Sequence, residues 1–285
     1  MRIFMEGGKE GLVIKPQKTL GMFLGLVFGL IFFGGYIWGV NFSISEKEMA
    51  LRIILLLPAY IILVGYLFVL YGLASLGYVI GEDGLIIRWA HKRYEIPWNE
   101  IKQVSRVSGR INLVNILGIS WPGYAAGTYD LKGIGALRLF ATRLKEILVI
   151  DTGKGMYGIT SVPELLPVLE EKTDKEIKFL DLYELPDSVI GRVVNEDIPY
   201  LVLMALNVIA LATLGAYLAI FFPGSGASSS VVLLVVLALA IFAFNLANAP
   251  RIFNYMPYGG YLIWFIGLTV NVAFIAMSMS TVGFK

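Results

Sequence analysis

The chain has 285 residues, of which 57% are hydrophobic and 15% charged, and a net charge of +2. That is too apolar for a soluble globular protein, which runs about 45–50% apolar and about 25% charged. With no cysteine and a single histidine, His91, disulfides, thiolate sites, cysteine nucleophiles and multi-histidine metal centres are excluded, and a Ser-His triad is disfavoured. Charge is concentrated between Tyr78 and Asp197, which hold 17 of the 21 carboxylates and 15 of the 23 lysines and arginines. Apolar segments flank this polar island.

Five hydrophobic runs approach spanning length: Leu20–Val40, Ile53–Leu76, Tyr200–Phe222, Val231–Ala249 and Gly259–Val282. At ~1.5 Å per residue, a helix of about 21 residues covers a hydrocarbon core of ~30 Å. The first run is too long for a signal-peptide core and lacks a small-x-small cleavage site, so it reads as a retained span. Arg2, Lys9, Lys15 and Lys18 precede it, the island is rich in basic residues, and Arg251 lies between the fourth and fifth runs. The Pro223–Ser230 connection has no basic residue. This asymmetry predicts an integral protein of the cell membrane with its N-terminus and island cytosolic and its C-terminus outside. Lys47 and Arg52 run against the trend.

In the first span Gly21, Gly25 and Gly29 recur every four residues, as do Gly35 and Gly39. Such spacing lets helix backbones approach closely, within one protomer or between copies. Pro58 is expected to kink the second span.

The island opens on Val79-Ile80, a Glu82-Asp83-Gly84 turn and Leu85–Trp89, a hairpin signal. Tyr94–Trp98 starts another extended piece, running through Ile101 and Val104. A glycine-rich loop, Gly109–Gly127, holds Trp121 and Tyr124, whose rings suit a membrane-contact loop or packing on the domain. Strands are expected at Thr128–Leu131, Ala136–Ala141, Glu146–Asp151 and Met156–Ile159, the last two joined by the turn Thr152-Gly153-Lys154-Gly155. Ser161 reads as the N-cap of a helix with Pro163 in its first turn and Glu164 three residues on, running to about Lys172 and burying Leu165, Leu166 and Leu169. Six or seven strands and one helix make a small barrel or sandwich closed at one end.

Tyr78–Ile87, Ile96-Pro97-Trp98-Asn99-Glu100-Ile101, Pro122-Gly123 with Gly127, Ala141-Thr142, and Ile150-Asp151-Thr152 before the Ser-x-Pro-Glu helix resemble, in that order, the bacterial pleckstrin-homology-like (PH-like) domains. The resemblance covers about residues 78–172. It implies a seven-strand barrel with a C-terminal capping helix and a role in lipid or protein binding, not catalysis. Phosphoinositide-binding relatives carry basic residues between their first two strands. Here that turn is acidic, which disfavours headgroup recognition by that route.

From Arg88 to Lys145 there are ten basic and three acidic residues, and from Glu146 to Asp197 five basic and twelve acidic. Arg88, Arg106, Arg110, Arg138 and Arg143 are therefore candidates for a binding face towards anionic lipid or a partner, or else are dispersed and solvated. His91, between Ala90 and Lys92, reads as an exposed strand end. Thr173–Asp197 is a charged connector in which Ser188–Val194 is expected to form a short interfacial helix presenting Val189, Ile190 and Val193.

None of the five runs contains Asp, Glu, Lys, Arg or His, which argues against an ion-coupled pump or intramembrane hydrolase. Instead Asn207, Asn245, Asn248 and Asn271 stand in the later spans. Counted at ~1.5 Å per residue, Asn207, Asn245 and Asn271 come within reach of one another between the inner leaflet and the midplane. They read as interhelical hydrogen-bonding groups or as a polar pocket. Gly224-Ser225-Gly226-Ala227-Ser228 superficially resembles a serine-nucleophile motif but reads as a turn.

The expected fold is α-helical transmembrane with about five helices, plus an inserted cytosolic β-barrel of PH-like type with a capping helix. Its divisions are residues 1–77 (tail and first two spans), 78–172 (PH-like domain), 173–198 (connector) and 199–285 (last three spans). The function expected is non-enzymatic: the PH-like domain mediates protein assembly or membrane-surface binding. The alternative is a transporter or channel component with a neutral polar pocket at the asparagines. Partners expected are membrane lipids and either a protein or a second copy of the chain. No catalytic residue, metal, cofactor or nucleic acid is expected.

Overall fold

A computed structural model describes residues 2–6, 9–16, 19–44, 46–222 and 228–281. The chain begins with strands β1 (Arg2–Glu6) and β2 (Lys9–Ile14). Helices α1 (Gly21–Gly29) and α2 (Gly35–Ser43) follow, joined by a π-helical turn, and then α3 (Met49–Ser75). The island supplies β3 (Gly77–Ile80), β4 (Gly84–Trp89), β5 (Lys92–Pro97), β6 (Gln103–Ser108), β7 (Leu113–Trp121), β8 (Tyr124–Leu131), β9 (Gly135–Ala141), β10 (Glu146–Asp151) and β11 (Met156–Thr160). After it come α4 (Leu166–Thr173), β12 (Lys178–Asp181), α5 (Asp187–Ile190), α6 (Ile198–Phe221), α7 (Ser229–Tyr255) and α8 (Pro257–Thr281). Among the described residues, five helical stretches are long and apolar enough to cross a membrane: Gly21–Phe42, Met49–Ser75, Ile198–Phe221, Ser230–Tyr255 and Pro257–Ser280. Two compact units result, residues 1–30 with 63–191 and residues 31–62 with 192–285.

In the first unit the strands make two sheets, ordered β1-β2-β3-β4-β5 and β12-β6-β10-β11-β9-β8-β7. The barrel is therefore open, nearer to a sandwich. The acidic turn joins β3 to β4 as expected, with Gly81 N–H donating to Gly84 O at 2.9 Å. The tail before the first span is not free: β2 pairs with β3 and brings Leu12, Val13 and Ile14 opposite Ile80, Val79 and Tyr78. The glycine-rich loop is corrected to the hairpin β7–β8. Its turn, Pro122-Gly123, has proline at the second position and glycine at φ +88° at the third, the type II arrangement. Gly118 faces Gly127 across the pair, and a side chain on Gly127 would overlap the Gly118 backbone.

Two apolar cores follow from strand alternation. On β10, Leu148 and Ile150 face one core with Leu85, Ile87, Ile96, Phe140, Leu165 and Leu169, while Ile147 and Val149 face the other with Val107, Leu139, Leu182 and Ile190. Both faces of β10 are thus buried, at about 1.5–3 kcal/mol per large aliphatic side chain. Ser161 does not cap the helix: its hydroxyl donates to Glu146 Oε1 at 2.6 Å. The helical segment opens instead on a 3₁₀ turn, Pro163–Leu165. The connector is also corrected, because β12 adds in parallel to β6, and α5 has four residues with Ile190 buried and Val189 exposed.

In the second unit Asp197 begins α6. Its Oδ1 accepts the Tyr200 N–H at 2.9 Å, and the carboxylate also accepts the Tyr261 hydroxyl. Tyr200, Ala249, Phe253 and Trp264 form a buried cluster among α6, α7 and α8. Helix α7 runs through Pro250, so Arg251 sits within its last turns and not in a loop. Helix α3 likewise continues through Pro58. Of the Gly224–Ser228 stretch, only Ser228 is among the described residues.

Candidate functional site

The β7–β8 turn is bound to the start of α1. Thr19 Oγ1 donates to Gly123 O at 2.7 Å, and Trp121 Nε1 donates to Gly21 O at 2.8 Å. A Cβ at Gly25 would lie 2.7 Å from Leu70 Cδ2 and 3.2 Å from Trp121 Cζ2, and one at Gly29 would lie 2.5 Å from Tyr66 Cε1. The Tyr66 hydroxyl donates to Gly25 O at 2.5 Å. Gly21, Gly25 and Gly29 therefore admit groups of the same chain. Tyr124, expected in a membrane-contact loop, is fully buried, and its hydroxyl accepts the Trp89 indole N–H at 2.5 Å. Burial raises its pKa above the ordinary tyrosine range. Trp121 is half-buried, with its ring beside those of Tyr66 and Tyr124.

The five candidate arginines do not share one element. Arg88 lies on β4 opposite Arg93 of β5, Arg106 on β6, Arg138 on β9, and Arg110 and Arg143 in the segments after β6 and β9. Arg106 is engaged by Glu146, whose carboxyl is held below the usual range chiefly by that hydrogen bond. The same bond raises the Arg106 pKa. Arg138 sits 5.8 Å from the centroid of the Tyr94 ring. The Tyr94 pKa is raised, by burial above all.

Arg138 lines a groove of about 280 Å³ between the open edge of β5 and the parallel pair β9–β11. Ile96, Leu137, Met156 and Tyr157 give it apolar surface, and Glu95, Glu100, Arg138 and Lys154 line it with charge of both signs. Lys154 Nζ lies 2.6 Å from Glu100 Oε1. Sequence reasoning missed the groove, whose residues come from four strands and the turns after β5 and β10, far apart in the chain. The one local signal was the charged and aromatic alternation of Arg93-Tyr94-Glu95-Ile96.

The three asparagines do converge. Asn207 donates through Nδ2 to Leu203 O at 2.9 Å and Trp264 O at 2.8 Å, and its Oδ1 accepts from Asn271 Nδ2 at 3.3 Å. Gly267 makes room, since a Cβ there would overlap Asn245 Nδ2 and approach Asn207 Oδ1 to 3.0 Å. All three are buried. Among the described residues Asn245 Nδ2 and Asn271 Oδ1 have no hydrogen-bond partner, a cost of about 1–3 kcal/mol for each group left so. Asn248 is half-buried and donates back to Phe244 O at 2.8 Å.

Two packed sheets with a helix against their core, inserted between apolar spanning-length helices, define a membrane protein with a PH-like domain. The bacterial PH domain family matches residues 76–176, the segment that carries the PH-like resemblance. The chain is also similar to an uncharacterised protein of Clostridium acetobutylicum, at 24% identity over 176 residues. That alignment covers 60% of this chain and 55% of the relative, so the chain spans about half the length of the curated relative it matches. No solved structure matches the chain.

Proposed function

We propose that this is a non-enzymatic membrane protein whose PH-like domain, on the cytosolic side, assembles with a partner protein by seating an extended segment in the groove beside β5. The observation that carries this reading is the groove itself: an open strand edge next to apolar surface and paired charges of both signs. An extended segment gains main-chain hydrogen bonds from such an edge and side-chain selectivity from such a lining. The domain needs no lipid headgroup to bring it to the membrane, because Val69 and Leu73 of α3, with Leu76 just beyond its end, belong to its core. The acidic β3–β4 turn agrees with this. A benzophenone amino acid at Met156, on irradiation in cells, is expected to crosslink a discrete protein, and Arg138→Glu is expected to cut the yield several-fold. The same label at Phe179, on the far sheet edge and 63% exposed, is expected to give no such adduct. Equal adducts from both positions would sink the groove assignment.

A second reading, a transport or channel component, is favoured by the buried asparagine cluster with its two unpartnered polar atoms. It requires liposomes containing the protein to take up a small solute such as glycerol or sodium ion, and Asn207→Ala and Asn271→Ala to abolish that uptake while leaving the protein folded. The assembly reading expects no uptake with any variant, only lowered melting temperatures.

A further inference from the structure

Strand β7 is an edge strand that carries no charged residue over its nine positions, Leu113–Trp121. Edge strands of soluble domains are commonly protected by charge, because an apolar open edge invites association. Here Ile116, Leu117 and Ile119 are 45%, 76% and 42% exposed. The irregularity between Asn115 and Leu117 sets the pattern that follows: from Leu117 on, the pairing with β8 is regular. Alternation therefore puts Leu117, Ile119 and Trp121 on one face of the strand.

Trp121 shows where that face points. Its indole donates to Gly21 O at the first residue of a span and packs beside Gly25, one helical turn or ~6 Å further along. On the same stretch of α1, Phe23, Leu26 and Phe28 are exposed, at 62%, 50% and 56%, the apolar surface a span offers to lipid. Ile119 and Leu117 lie only ~7 and ~13 Å back along the strand from Trp121. The open edge of β7 has unpaired backbone groups, which hydrocarbon does not tolerate but headgroups and interfacial water satisfy.

We infer that the Leu117–Ile119 end of β7 is a lipid contact, seated in the interfacial layer of the bilayer that α1 enters. The PH-like domain then touches the membrane through an uncharged strand edge, not through an arginine face or the acidic β3–β4 turn. This contact rests on the placement of Trp121 against α1 and is independent of the groove beside β5. The bilayer is chosen over a second copy because Leu117 and Ile119 share the face of a side chain already tied to the span.

The chain has no cysteine, so nitroxide labels at Leu117→Cys and Ile119→Cys test it directly in the full-length protein, reconstituted in phosphatidylethanolamine–phosphatidylglycerol nanodiscs. Tyr183→Cys, at a position 74% exposed, supplies the water-side reference. The ratio of oxygen to nickel-chelate collisions is expected to be several-fold higher at Leu117 and Ile119 than at Tyr183. A ratio equal to the reference, meaning water contact, overturns the inference. So does low access to both reagents, which means cover by protein, with dipolar broadening identifying a second copy. Leu117, the more exposed, decides the matter alone if the Ile119 label lowers the melting temperature.

Discussion

Gly21→Ala is expected to destabilise the protein by about 3 kcal/mol, although alanine is the better helix former by about 0.5–1 kcal/mol. The added methyl overlaps the Gly123 carbonyl oxygen, which is backbone and cannot rotate aside. Gly123 is held at φ +88° by the turn, and its oxygen accepts from Thr19. Relief therefore requires the whole β7–β8 turn to lift from α1, with loss of the Trp121–Gly21 bond as well. Each of those two bonds contributes about 1 kcal/mol. The effect should differ from one glycine to the next. Gly25→Ala meets chiefly the flexible end of Leu70 and is expected to cost less, whereas Gly39 has nothing within 4 Å of a Cβ, so that Gly39→Ala is expected to be neutral or slightly stabilising. Thermal unfolding in detergent, followed by near-ultraviolet circular dichroism, measures all three. Equal melting temperatures for the Gly21 and Gly39 variants would show that the turn is not seated on α1.

The glycine series also shows what was legible in the sequence. Spacing alone identified Gly21, Gly25 and Gly29 as close-approach positions, but the groups they admit, Gly123, Leu70, Trp121 and Tyr66, are distant in the chain or in another span. The spanning helices were legible because their apolar length has no soluble counterpart, and the turns at Glu82-Asp83-Gly84 and Thr152–Gly155 because their residues suit few other conformations. Strand β7 was not, since Gly118 and Gly127 read as loop formers when their role is to let two strands approach closely. The hairpin β1–β2 was hidden for another reason: a strand is defined by its partner, and β3 lies beyond two whole spans. Rise per residue was enough to bring Asn207, Asn245 and Asn271 within reach of one another, whereas the space that lets them meet is owed to Gly267. The groove beside β5 has no contiguous signature at all.

Tyr78 joins the two sheets, and its removal is expected to have the second large effect. The side chain is fully buried. Its hydroxyl donates to Phe140 O at 2.8 Å and accepts the Thr160 N–H at 3.0 Å, so one oxygen satisfies backbone groups of β9 and β11 from a residue on β3. Tyr78→Phe keeps the ring and leaves a carbonyl and an amide without the hydroxyl in the core, at about 1–3 kcal/mol each, hence a loss of about 2–6 kcal/mol. The hydroxyl also sets an alkaline limit. Burial pushes its pKa from 10.0 to about 12. The folded state therefore holds the proton where the unfolded chain has released it. That stabilisation is complete below pH ~10 and declines as pH rises through ~12, amounting to about 3 kcal/mol at most. Unfolding free energy measured between pH 9 and 12 is expected to fall with a steeper slope in the native protein than in Tyr78→Phe, the two curves converging towards the alkaline end. Parallel curves across that range would mean that the Tyr78 proton is not coupled to folding, and coincident ones that its hydrogen bonds do not hold the two sheets together.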